Sequence, residues 1–270
     1  MTKKNSTYPN LLQLENLSHF DSLFHFSTTI EGGVSKRNYA TFNLGIYAGD
    51  NPTDVDDNRA RLASMIDVDV ADLYFPYQLH GSEVCVLDEY FLLKSDLEKT
   101  VFLHGIDAVI TAQKNICIGV STADCVPILI FDPQQTVLAA IHAGWRGTVA
   151  HIVQKTVERM KESFGCNPQN MIAGIFPSIS QDFFEVGDEV VSMFNAADFD
   201  LKAIAKQNSK TDKMHIDLWN ANKLELEKTG IPSRNIEIAK MCTYENEEMF
   251  FSARRQGIKS GRMITGGVLR

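Results

Sequence analysis

The strongest constraint on this fold is a succession of short apolar runs through the middle of the chain. They are LYFPYQ (73–78), EVCVL (83–87), DAVIT (107–111), ICIGV (116–120), VPILIF (126–131) and TVLAAIH (136–142). Runs of this length, β-branched and bounded by turn residues, read as strands, and so many in one stretch require a substantial sheet. One longer polar segment near 88–104 separates them. Upstream, LFHFSTT (23–29) reads as a strand and IEGGVS (30–35) as a turn. YATFNLGIYAGD (39–50) alternates as a strand would, and DNRARLASMI (57–66) has helical spacing.

From Trp145 the period changes. Val149, Ile152, Val153, Val157, Met160 and Phe164 are spaced for one face of a long helix that Gly165 ends. Further on, NMIAGIF, NIEIAK and GRMITGGVLR read as strands, while VGDEVVSMFNAA and DLWNANKLELEKTG read as helices. The segment near 205–213 reads as a polar loop. Neighbouring strands mixed with alternating helices, with no repeat and no linker, predict one α/β (α+β) domain over 1–270, a mixed sheet flanked by helices.

The net charge of −8, without a basic stripe, argues against nucleic acid as a partner. An anionic substrate would then have to be met by individual arginines. The five cysteines form no CxxC pair, and their odd number argues against a disulfide framework, which fits a reducing cytoplasm. No apolar segment reaches membrane-spanning length, so no membrane partner is expected.

Two of the apolar runs end on chemistry. Cys125 precedes VPILIF, His142 closes TVLAAIH, and His80 lies in YQLHGSEV. Two imidazoles and a thiolate fill three tetrahedral positions and leave a fourth open, the pattern of a catalytic zinc. The same residues admit other readings: Cys125 as a buried small side chain, or as a nucleophile with His142 as its base. After His142, AGWRGT places Gly144 and Arg146 where a helix begins, a setting for phosphate; a glycine turn with a surface arginine is the plain alternative. FFSARRQGIKSGR (250–262) gathers Arg254, Arg255 and Arg262 around Phe250 and Phe251. That cluster could hold phosphate, stack a purine, or form a basic edge.

Taken in order, YQLHGSEV, DAVIT, ADCVPILIFD, IHAGWRGT, FEVG, DLWNANKLEL and FFSARRQG resemble the bacterial laccase-domain family, first named for polyphenol oxidation and now associated with purine nucleoside phosphorylase activity. The resemblance runs from about GGVS to the C-terminus. It implies a mixed α/β fold distantly like bacterial cysteine-hydrolase toxins, with zinc held by His80, Cys125 and His142. It further implies phosphorolysis of adenosine, inosine, guanosine or methylthioadenosine, with adenosine deamination as a second activity. Monomer and homodimer both remain open. Asp124, beside Cys125, reads as a ligand-orienting or proton-moving carboxylate, or as a strand cap.

Four positions depart from the family pattern. Ile30 stands near a customary arginine, Phe176 and Ser180 replace glycines, and Ala253 replaces an aromatic residue. The runner-up activity is copper-dependent phenol oxidation. Against it, the chain has only seven histidines and no His-x-His pair, too few for a multicopper cluster, although copper could enter the same three ligands in vitro.

Overall fold

The computed structural model describes residues 10–270. At its centre, β7 (Val126–Asp132) and β8 (Val137–Ala143) form an antiparallel hairpin. Asp132 closes the turn, accepting the amides of Gln134 and Gln135. The hairpin sits in a six-stranded sheet with β4 (Val84–Leu87), β5 (Ala108–Thr111), β9 (Ile172–Ile175) and β13 (Ile236–Ile238), in the order β13-β9-β7-β8-β5-β4.

A second sheet has five strands. β14 (Met263–Leu269) lies between β2 (Leu23–Thr28) and β6 (Cys117–Thr122), with β1 (Leu11–Leu12) and β3 (Leu73–Tyr74) at the edges. A third, small sheet joins β10 (Glu185–Val186), β11 (Ala205–Gln207) and β12 (Met214–Ile216). Parallel and antiparallel pairs coexist in both larger sheets.

The hairpin is buried on both faces, and period-two alternation sorts its side chains. Val126, Ile128, Ile130, Val137, Ala139 and Ile141 pack in one core with Ile152, Val153, Val157 and Met160 of helix α5 (Ile152–Phe164). Leu129, Phe131, Leu138 and Ala140 pack in another core with Ile118 and Val120 of β6. Each of these valine, isoleucine, leucine and phenylalanine side chains contributes about 1.5–3 kcal/mol on burial, so the two cores hold the hairpin from both sides. By the same alternation His142 belongs to the face toward the second sheet. The register sets Pro127 opposite His142, so Cys125 falls on that face as well, at the open end of the hairpin.

The remaining helices are α1 (Pro52–Met65), α2 (Glu89–Leu92), α3 (Asp96–Phe102), α4 (Trp145–Val149), α6 (Asp188–Ala196), α7 (Leu201–Ile204), α8 (Leu218–Lys228) and α9 (Ala253–Gln256). The long helix expected from Trp145 is two helices. His151 between them has φ of 56°, and its Nδ1 lies 2.8 Å from the buried Glu225 carboxylate on α8, a contact that holds the break. The strand expected over 39–50 is irregular. There the Asn58 amide donates to the Thr41 and Asn43 carbonyls, replacing a neighbouring strand as their partner. The polar 88–104 segment contains α2 and α3, the latter started by a Ser95–Glu98 capping box. The expected loop at 205–213 begins as β11.

His25 on β2 is fully buried beside Phe176, and its Nε2 accepts the Leu14 amide. Burial pushes its pKa down to about 4, so the ring folds neutral. The folded value lies below the unfolded one, so this contribution to stability is complete above about pH 6.5 and is lost as pH falls toward 4. Its size is about 3 kcal/mol at 1.36 kcal/mol per pKa unit. Urea unfolding of His25→Asn across pH 4–8 should show a shallower acid slope than the parent; equal slopes would show that His25 is not held neutral.

Candidate metal centre

Three turns converge at the open end of the central hairpin. His80, in a left-handed turn with φ of 59°, approaches from the segment before β4. Cys125 stands at the head of β7 and His142 near the end of β8. One ligand atom from each residue lies within 4.8 Å of the others, and the two imidazole rings are 4.8 Å apart and nearly perpendicular. Gly144 closes over this group: a Cβ there would stand 3.1 Å from Cys125 Sγ and 3.5 Å from His80 Cδ2. Gly144, read from sequence as a phosphate contact, thus leaves open the space beside Cys125 that a side chain would fill.

Asp107, which sequence reasoning passed over as the first residue of a strand, organises the cluster. It is fully buried, and its Oδ1 accepts His142 Nδ1–H at 2.7 Å and the His80 amide at 3.1 Å. Its Oδ2 accepts the Gly81 amide at 2.7 Å. With the carboxylate on Nδ1, Nε2 of His142 is the nitrogen that a metal would take, displacing its proton, the outer-shell arrangement that accompanies metal-binding histidines. An acid at the head of the apolar run DAVIT was the available signal.

The cluster is polarised. Burial alone would push the Cys125 thiol up, but His142 beside it and hydrogen bonds from both histidines draw it down to about 6. Burial opposes charge on His142 too, yet the Cys125 thiolate and Asp107 raise it to about 9. Two nitrogens and an available thiolate, with the outer shell in place and one side facing a cavity, fit a zinc-type ion. The same donors suit copper.

The cavity measures about 610 Å³, within the range of small-molecule sites. Tyr47, Phe75, Tyr77, Trp145 and Phe184 supply aromatic wall. Arg59, Arg146, Arg254 and Arg262 also line it, against a single carboxylate, Asp124. Asp124 is fully engaged: Oδ1 accepts the Thr243 hydroxyl, and Oδ2 accepts the Ser252 hydroxyl and the Arg254 amide. Its observed contacts are those of an anchor tying the β6–β7 turn to α9.

The arginines differ. Arg146 is exposed and stacks on Trp145 at 4.3 Å. Because α4 spans only Trp145–Val149, its macrodipole is small, and the guanidinium is the main positive charge at this edge. Arg254 donates to the Glu185 carbonyl, and Arg262 curls onto the carbonyls of its own loop. Arg59, read only as part of a helix, lies 5.0 Å above the Phe75 ring. Arg255 is absent from the cavity wall; it donates to the carbonyls of Thr243, Tyr244 and Phe250. Phe250 and Phe251 are core residues, which removes them as a stacking surface for a purine. Of the four departures, Ala253 lines the cavity, whereas Ile30, Phe176 and Ser180 do not.

Asp107→Asn should lower metal affinity by about 10–100-fold, the usual cost of losing such a partner, as read by competition with a chromophoric chelator. Unchanged affinity would remove Asp107 from the centre. In metal-free protein, iodoacetamide should modify Cys125 with a midpoint near pH 6. Cys85 and Cys166, which burial pushes up to about 12, should stay unreacted. Peptide mapping reads the site, and equal labelling of all three would show that Cys125 is not activated.

The model of the family described as multi-copper polyphenol oxidoreductase laccase matches residues 24–270. A protein of Bacteroides thetaiotaomicron named purine nucleoside phosphorylase is 43% identical over 256 residues, 95% of each chain. A protein from an unknown prokaryotic organism, named adenosine deaminase RL5, is 44% identical over 260 residues, 95% of this chain and 98% of that one. The crystal structure of YlmD from Geobacillus stearothermophilus superposes with a TM-score of 0.88 at 27% identity, covering 97% of this chain and 96% of that one. Among the described residues no helix is long and apolar enough to cross a membrane. With most of its length matched by the family model, and relatives above 40% identity along nearly all of it, the chain belongs to the laccase-domain (multi-copper polyphenol oxidoreductase laccase) family.

Proposed function

We propose that this chain is a zinc-dependent purine nucleoside phosphorylase, acting on adenosine, inosine, guanosine or methylthioadenosine, with adenosine deamination as a secondary activity. The observation that carries the reading is the His80, Cys125 and His142 cluster facing a cavity with four guanidinium groups and one occupied carboxylate. An acidic protein has built a local positive surface there, as an anionic co-substrate requires. The names of the relatives from Bacteroides thetaiotaomicron and the unknown prokaryote point to the two activities. The reduced thiols fit a cytoplasmic setting.

In phosphorolysis a phosphate oxygen bonds to the anomeric carbon as the bond to the purine nitrogen breaks and its electron pair leaves with the base. Arg146 holds the phosphate, and the aromatic wall holds the flat base. Arg254 is kept at the cavity wall by the hydrogen bond that its backbone N–H donates to Asp124 Oδ2. Zinc, when bound, supplies Lewis acidity to the reacting groups. Asp107 keeps His142 in the tautomer that can serve as a ligand.

One observation favours a second reading. Cys125, His142 and Asp107 form a nucleophile–base–acid chain resembling that of cysteine hydrolases, with the thiol drawn down and the imidazole oriented. His80 separates the readings, because a metal set needs it and a hydrolytic triad does not.

Replacing His80, Cys125 or His142 by alanine should abolish zinc retention, about one ion per chain in the parent, together with turnover. Full zinc retention by all three variants would remove the site. Zinc-loaded protein should release hypoxanthine from inosine only when phosphate is present, yielding ribose 1-phosphate with or without oxygen. Arg146→Ala should reduce phosphorolysis by more than it reduces deamination. Oxygen-dependent phenol turnover without phosphate-dependent base release would favour the oxidase; activity surviving both chelation and His80→Ala would favour the hydrolase.

A further inference from the structure

Of the five aromatic rings in the cavity wall, four are already engaged. A guanidinium stands over three of them: Arg59 over Phe75 at 5.0 Å, Arg146 over Trp145 at 4.3 Å and Arg254 over Phe184 at 5.5 Å. Phe75 also packs on the core that contains Leu62 and Ile264, and Trp145 and Phe184 pack in the core beneath α5. Tyr77 has two ring neighbours, His104 at 4.9 Å and Tyr47 at 4.2 Å. Tyr47 differs from the rest. It is 58% exposed, belongs to none of the apolar cores, and meets Tyr77 at an interplanar angle of 67°. An edge-to-face contact of that kind covers at most one face of the Tyr47 ring.

The backbone holds that ring in place. Ile46 and Tyr47 are the central residues of a turn closed by the Ala48 amide, which donates to the Gly45 carbonyl at 3.2 Å. Turn tips favour Gly, Asn, Asp, Pro and Ser, so two large apolar side chains at this one, 50 and 58% exposed, gain nothing locally. Both flanks are pinned: the fully buried Asn43 accepts the Gly45 amide at 3.0 Å, and the Tyr39 hydroxyl donates to the Ala48 carbonyl at 3.0 Å. We propose that Tyr47 is the ring on which the purine base stacks, with Tyr77 bracing it from the side. The assignment deepens the phosphorylase reading and rests on its choice of purines as ligands. Stacking reads a π face that every purine has, so Tyr47 contributes affinity for the base without choosing among hypoxanthine, adenine and guanine. It has no part in holding phosphate.

Isothermal titration of hypoxanthine into the protein as purified needs no turnover. Binding should weaken about 5–150-fold in Tyr47→Ala and Tyr47→Leu, the usual worth of one base–aromatic stack, and stay at the parent value in Tyr47→Phe. In phosphorolysis the alanine and leucine variants should raise KM for inosine by a similar factor and leave KM for phosphate unchanged. Leucine keeps apolar bulk and lacks the π face, so parent-like binding by Tyr47→Leu overturns the inference. So does parent-like binding by Tyr47→Ala, a loss in Tyr47→Phe equal to that in alanine, a matching rise in KM for phosphate, or a parent that does not bind hypoxanthine. If the variants follow the expected order while phosphate releases no base from inosine, the stacking assignment stands and the phosphorylase reading fails.

Discussion

The Asp107 carboxylate holds the candidate site together. Fully buried, it would be unfavourable without partners, and it meets them in His142 Nδ1–H and the amides of His80 and Gly81. The His142 amide in turn donates to the Asp107 carbonyl at 2.8 Å. One residue therefore aligns the start of β5 with the end of β8, fixes the His80 turn and sets a tautomer. The cost of burying its charge is offset only when those turns are correctly placed, which makes geometry at the ligands a condition of folding there.

Much of the architecture was legible because apolar runs of strand length have few alternatives. All six runs between residues 73 and 142 contain a strand, although LYFPYQ contributes only Leu73–Tyr74. What escaped the sequence was the partner of each backbone group. YATFNLGIYAGD has the alternation of a strand, yet the side-chain amide of Asn58 takes its carbonyls, and no local pattern announces a residue 15 positions away as that partner. The helix after Trp145 was read as continuous because its apolar spacing is continuous; the break comes from His151 meeting Glu225, 74 residues distant.

The site was legible in its donors and opaque in its surroundings. His80, Cys125 and His142 stood out as donor types in turns, and the structure brings them together. The arginine-rich segment was harder to read, since composition does not tell a guanidinium facing a cavity from one spent on carbonyls. Arg254 and Arg255 are neighbours in sequence, yet one lines the cavity and the other fastens α9 to the Thr243–Tyr244 backbone. Arg59 gave no signal at all, being one charge on an ordinary helix.

The position of β14 governs when the site can exist. The strand comes last in chain order among those described, yet it fills the middle of its sheet, paired to β2 across more than two hundred residues and to β6 on its other side. Such pairings close long loops and are slow to form. Met263 pairs with Thr122, two residues from Asp124, so the wall beside Cys125 stays incomplete until β14 is inserted. During synthesis the hairpin can assemble early, but the pocket becomes shaped only once Met263–Leu269 has been made and paired with β2 and β6. A metal held by His80, Cys125 and His142 would thus meet a finished centre only after that pairing, late in maturation rather than as a nucleus for folding.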